Sequence, residues 1–170
     1  MFWLGLLLGI VGTWGVREVF MGYPETPVGL KVLGRKNFAV VCAIGEALLP
    51  GGGEIPLSSA EARVPEFVDN YVAMAPTLTR RLMFMLFFLM EHATYLFAFT
   101  THRLSDLDVD ARIRYLDGWE KSRLYMRRLA FTSLRAIYGM AYLGCPDVEK
   151  AMGFRISDKC RDALIIRRPQ

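Results

Sequence analysis

Glu91 and His92 stand side by side within an otherwise apolar run, and of all neighbours in this sequence they are the best equipped for chemistry. A carboxylate and an imidazole that meet in space can pass protons, activate a nucleophile or ligate a metal. Adjacent residues on a helix point about 100° apart, so these two do not form the Glu-x-x-His pair that a di-iron bundle requires. The plainer reading of this polar site is structural. A Glu inside an apolar helix needs a partner, and Arg80, Arg103 or an Arg of a later helix can supply it. Glu46, likewise within an apolar helix, reads the same way. His102 falls at a helix end, where it can meet terminal carbonyls.

Other routes to chemistry are weaker. His92 with Met83, Met85 or Met90 would give a His/Met axial pair for haem, although methionines among Phe and Leu at these spacings usually fill a core. Cys42, Cys145 and Cys160 form no CxxC, no CxxCH and no metal spacing, as expected of reduced thiols. Ser122 and Ser133 have no His at a recognisable spacing. "GGGE" (51–54) lacks both the strand before it and the Lys-Ser/Thr after it that a phosphate loop needs. The sequence presents no catalytic set and no metal site.

The elements that must position these residues are helical. Asn37 reads as the cap of "FAVVCAIGEALL", which Pro50 and Gly51 to Gly53 stop. Ser58 and Glu61 have capping-box spacing, with Pro65 placing the regular helix later, near Val64. Phe67, Val68, Tyr71, Val72 and Ala75 form an amphipathic stripe that ends at Pro76. The run from Leu78 to Thr101 is apolar on nearly every face after Arg81, as in a central core helix or a membrane span. Asp108 or Asp110 caps the next helix, which should break near Gly118 to Ser122, close at Gly144 and restart at Pro146. No segment alternates with period two, so the fold class is all-α, a compact helical bundle.

The chain has 170 residues, 53% hydrophobic and 22% charged, with a net charge of +4. The basic residues are spread out and lie largely on different helix faces from the aromatics, so nothing indicates nucleic acid binding. The surplus of apolar residues predicts a surface that meets a partner. Residues 2–16, "FWLGLLLGIVGTWGV", carry no charge. As a helix they would reach about 22 Å at ~1.5 Å per residue, against a hydrocarbon core of roughly 30 Å. No Lys or Arg precedes the run, which favours an uncleaved N-terminal apolar anchor helix over a signal peptide or a helix docked on a partner. Lys31, Arg35 and Lys36 follow, and the positive-inside tendency favours the cytoplasmic side for the domain. The expected division is an anchor over 1–21, a linker over 22–36, a helical domain over 37–156 and a tail over 157–170.

The run Leu107 to Phe154 resembles the carboxy-terminal part of the gluconate 2-dehydrogenase subunit 3 family, the small helical subunit of flavin-dependent glucose-methanol-choline (GMC) oxidoreductases. The matching elements are an acidic-Arg-Tyr-Leu helix start, Trp119 with Ser122, Arg127-Arg128 before Phe131, Tyr142, and a Pro junction leading to Met152-Gly153-Phe154. "AIGEALLPGGGE" (43–54) is similar to the family's first helix. Together the likeness covers roughly Asn37 to Phe154. It implies an accessory subunit that binds and helps mature a FAD-carrying large subunit while holding no flavin or haem itself. Where many members carry a twin-Arg signal, this chain has an uncharged apolar run, and a membrane tether is the natural substitute.

The sequence therefore leads to the expectation of a membrane-tethered, non-catalytic small subunit of a FAD-dependent alcohol, sugar or sterol dehydrogenase. Tyr115, Trp119, Arg123, Arg127, Arg128, Phe131 and Tyr138 are the candidate partner interface, with core packing as the alternative for the aromatics and a solvated face for the arginines. Two other readings stay open. One is a small integral membrane protein with a second span over Leu82 to Thr100, the other a stand-alone helical redox protein using Glu91 and His92.

Overall fold

The computed structural model describes residues 22–26, 29–53, 55–98 and 100–153. The expected anchor over 1–21, the tail over 157–170 and the last residues of the 37–156 domain lie outside the described residues. Among those described, the regular structure is all helical: α1 (Arg35–Leu48), α2 (Val64–Met74), α3 (Thr77–His92), α4 (Thr94–Phe97), a 3₁₀ turn (Leu104–Asp106), α5 (Val109–Glu120), α6 (Tyr125–Leu143) and α7 (Pro146–Ala151).

The apolar helix α1 lies at the centre and packs against α2, α3, α5, α6 and the 3₁₀ turn. It buries Ala39, Val40, Val41, Ala43, Ile44, Gly45 and Ala47, so its inward face is built of small and β-branched residues that let neighbours approach closely. The helix starts at Arg35, two residues before the expected Asn37 cap, with Gly34 at the cap position and no side-chain cap. Asp69 explains the difference. Its buried carboxylate accepts from the backbone N–H groups of Lys31 (2.6 Å), Val32 (3.0 Å) and Leu33 (2.8 Å), fixing the direction in which the chain enters α1. Burial pushes the Asp69 carboxyl up, but the three donors and the Lys31 charge outweigh it and hold it below the usual range.

Ser58 and Glu61 make the reciprocal bonds of a capping box, Ser58 N–H to Glu61 at 2.7 Å and Glu61 N–H to Ser58 Oγ at 3.3 Å. They close a turn ahead of the helix, and α2 begins at Val64 after Arg63, whose φ of 53° is left-handed. The run expected to continue to Thr101 breaks at Ala93. Thr94 Oγ1 donates to the Glu91 and His102 carbonyls (3.3 and 2.8 Å), which turns the chain into α4. No helix among the described residues is long and apolar enough to cross a membrane, so Leu82 to Thr100 is not one continuous span. The other expected boundaries hold. Asp108 accepts from the Ala111 N–H at 2.8 Å, the chain breaks between α5 and α6, and Pro146 opens α7.

Three tyrosines tie the layers together through backbone carbonyls: Tyr138 to Val41 (2.8 Å), Tyr142 to Leu57 (2.6 Å) and Tyr115 to Met90 (3.0 Å). Of the described glycines, Gly45 has the least room, since a Cβ there would clash with Ser59 Oγ and lie 3.4 Å from the Tyr138 ring. Gly45→Ala is expected to lower stability by ~1–3 kcal/mol through overpacking, read as a lower urea midpoint. Adding Ser59→Gly should return part of that loss, and a Gly45→Ala protein as stable as the parent would show that Ser59 moves aside freely.

Candidate functional site

The buried polar centre forms where the end of α3, the 3₁₀ turn and the N-terminal linker meet. Glu91 is fully buried. Its Oε1 accepts from Tyr23 O–H (3.0 Å) and Ser105 Oγ (2.6 Å), and its Oε2 accepts from the Ser105 N–H (3.1 Å). Of the arginines considered from sequence, Arg103 is the neighbour, with Nε 3.8 Å from Oε1. Its shorter bond, 2.7 Å, goes to Asp106, and its guanidinium lies 4.1 Å from the Tyr23 ring centroid. Arg80 instead donates to the Val72 and Ala73 carbonyls at the end of α2. Gly22 permits the close approach of the linker, since its φ is +87° and a Cβ would lie 3.1 Å from Arg103 Nη2.

Sequence reasoning missed Tyr23 and Ser105. Tyr23 sits in a Gly-Tyr-Pro linker and Ser105 in a short polar turn, and periodicity is silent about both. The only available signal was the demand of a buried Glu91 for donors. Burial pushes the Glu91 carboxyl up against the bonds from Ser105 and Tyr23, while burial and the Glu91 charge push Tyr23 up.

His92 faces a different neighbour. Its Nε2 lies 2.7 Å from Lys36 Nζ, and both contact the Phe88 ring at 4.5 Å. Burial, then the charges of Lys36 and Arg103, bring the imidazole down to about 4. Neutral at physiological pH, it accepts a hydrogen bond from Lys36 Nζ and is a weak base. Its Nδ1 is buried with no hydrogen-bond partner. The methionines considered with it as haem ligands are divided, with Met83 and Met90 in the core and Met85 exposed. Glu46 does find the expected arginine, Arg112, though at the surface; Arg112 also donates to the Ser105 carbonyl at 2.9 Å, steadying the 3₁₀ turn. Cys42, pushed up to about 11 by burial, is a poor nucleophile. Among the described residues no group of three or more His, Cys, Asp and Glu could hold a metal ion. The arrangement works as a latch that fastens the linker to the bundle.

The candidate interface residues separate into two groups. Tyr115, Trp119, Phe131 and Tyr138 are buried and pack in the core, which leaves Arg123, Arg127 and Arg128. Arg128 donates to the Ser122 and Arg123 carbonyls (2.7 and 3.1 Å) and steadies the α5–α6 break. Arg127 is stacked 4.0 Å from the Phe97 ring centroid and 4.8 Å from that of Trp119. Its Nε is buried without a hydrogen-bond partner, and burial pulls the guanidinium below its usual value. On one side of this ledge is a cleft with Thr100, Leu107 and Arg114; on the other is an apolar one with Leu89, Met126 and Leu129. Phe97 and Met126 complete the setting, and neither was singled out from sequence.

No family model, curated protein or solved structure matches this chain.

Two outcomes follow from the latch. His92 binds a proton more weakly folded than unfolded (about 4 against 6.5), so its contribution is complete above pH 6.5 and is lost as pH falls toward 4. Glu91, raised in the folded state, acts in the opposite sense and loses its contribution as pH rises through its folded value. His92→Gln should therefore lose less stability than the parent on acidification, measured by urea midpoints; parallel pH curves would contradict this. Tyr23→Phe should cost ~1 kcal/mol and speed cleavage at Glu25 by a Glu-specific protease, whereas unchanged cleavage would mean that the Tyr23 bond does not hold the linker.

Proposed function

We propose that this chain is a membrane-tethered, non-catalytic small subunit that binds and stabilises a FAD-dependent GMC-type dehydrogenase acting on an alcohol, sugar or sterol. The partner would carry the flavin and take hydride from the substrate. This chain would bind no cofactor, and residues 2–16 would hold the complex at the cytoplasmic face of a bacterial inner membrane. The reading rests on the resemblance drawn from the sequence motifs between Asn37 and Phe154.

One observation carries it further. Arg127 is preordered on Phe97 and Trp119, keeps a buried Nε without a partner, and borders exposed Met126 and Leu129. An arginine held on aromatics beside exposed apolar groups is the composition of an interface hot spot. Its rigidity lowers the entropy that a partner's carboxylate or carbonyl must overcome on binding. Arg123 stands nearby, while the Arg128 donors are partly occupied by backbone carbonyls.

The test is affinity isolation of the chain from its native cell in mild detergent, with a visible spectrum of what accompanies it. A yellow partner near one-to-one is expected. Arg127→Ala should weaken its retention by ~2 kcal/mol, with helix content unchanged, and Arg128→Ala should do less. Isolation of the chain alone, after crosslinking has also failed to retain a flavoprotein, would overturn the proposal and return attention to Glu91 and His92.

A further inference from the structure

Along α3, Leu78, Leu82, Met85 and Leu89 recur at i, i+4, i+7 and i+11, the spacing of one helix face. Beyond the break at Ala93, Leu96 of α4 is a further exposed aliphatic side chain. These five side chains are 71, 54, 65, 45 and 65% exposed in that order. From Leu78 to Leu89 the stripe runs roughly 17 Å along α3 at ~1.5 Å per residue. An apolar strip of that length left in water is unusual for a soluble domain and marks a contact surface.

We propose that this stripe lies on a lipid bilayer containing anionic lipid, with α3 parallel to the membrane plane. The inference rests on the membrane-tether reading above and names the face of the bundle that the tether brings down. Reach is the first argument. Tyr23 and Gly22 are held at the Glu91 end of α3 by the latch, and the apolar run 2–16 ends five residues before Gly22. Five extended residues span at most roughly 17 Å, so an inserted run 2–16 keeps this end of α3 within about two helix diameters of the bilayer.

Chemistry is the second argument. The stripe is aliphatic and thioether throughout and offers no hydrogen-bonding group, which suits acyl chains. The Arg127 ledge, whose apolar cleft Leu89 also lines, adds an arginine and aromatics and has instead the make-up of a protein contact. Arg81 is exposed on α3, and Lys36 reaches Phe88 beside the stripe, so basic groups border the apolar line as they do on interfacial helices that sit ~5–10 Å into the headgroup boundary.

The experiment uses the full chain with Cys42, Cys145 and Cys160 replaced by Ala and one environment-sensitive fluorophore, at Met85→Cys or, as control, at Lys150→Cys on α7. Vesicles of phosphatidylethanolamine and phosphatidylglycerol carry doxyl-labelled lipid as quencher. The chain should float with the vesicles, and quenching at 85 should exceed that at 150 by about twofold or more, given a burial depth of ~5–10 Å. Leu78→Glu with Leu82→Glu should bring quenching at 85 down to the control level without loss of helix content or flotation. Flotation with equal quenching at both positions overturns the inference while leaving the tether intact, and assigns the stripe to a protein partner. Failure to float overturns the tether and the inference with it.

Discussion

A carboxylate with no access to water sets the terms for much of this molecule. Glu91 is carried on α3 into a low-dielectric interior, where an unsatisfied charge would cost several kcal/mol. Three donor groups meet that cost, and they come from separate parts of the chain: Tyr23 of the linker, and the hydroxyl and amide of Ser105 in the 3₁₀ turn. Arg103 adds its charge and covers the Tyr23 ring. The break at Ala93 belongs to the same arrangement, because Thr94 turns the chain so that Arg103 and Ser105 can return to Glu91. Asp69 repeats the device on a smaller scale at the entrance to α1.

This arrangement separates the inside of the domain from the surfaces proposed for contact. Of the polar groups brought inward, Glu91 and Asp69 hold the linker and a helix entrance, while His92 pairs with Lys36 and keeps an Nδ1 without a partner. What remains available lies outside: the arginine ledge between α4 and α6, and the aliphatic line along α3. The proposed contact role needs surfaces whose relative placement is fixed. The tyrosine bonds from Tyr115, Tyr138 and Tyr142 across the layers provide that rigidity.

The all-helical class and most boundaries were legible because Pro, Gly and Asp108 punctuate an unusually regular apolar periodicity. Other features were not. The start of α1 depends on Asp69, far along the chain, and no local signal at Asn37 reports it. The break at Ala93 is a tertiary effect in a run whose composition favours a continuous helix. For the site, the need of Glu91 for a partner was readable and Arg103 was among the partners foreseen, but the stronger donors came from segments without periodicity. The aromatics between Tyr115 and Tyr138 looked like anchors because residue type alone does not say which helix face turns inward; packing against α1 and α2 settled that. Arg127 stacks on Phe97 from another helix, a contact invisible in the sequence.

The central claim is that Glu91 makes one body of the linker and the bundle. A double-mutant cycle with Tyr23→Phe and Ser105→Ala, read by urea unfolding, tests it most directly, since both hydroxyls donate to the same Oε1. Groups that share one buried acceptor should be coupled by ~0.5 kcal/mol or more, as residues of a single hydrogen-bond network are. Strict additivity of the two substitutions would contradict the claim, showing that the linker and the turn bind the bundle independently.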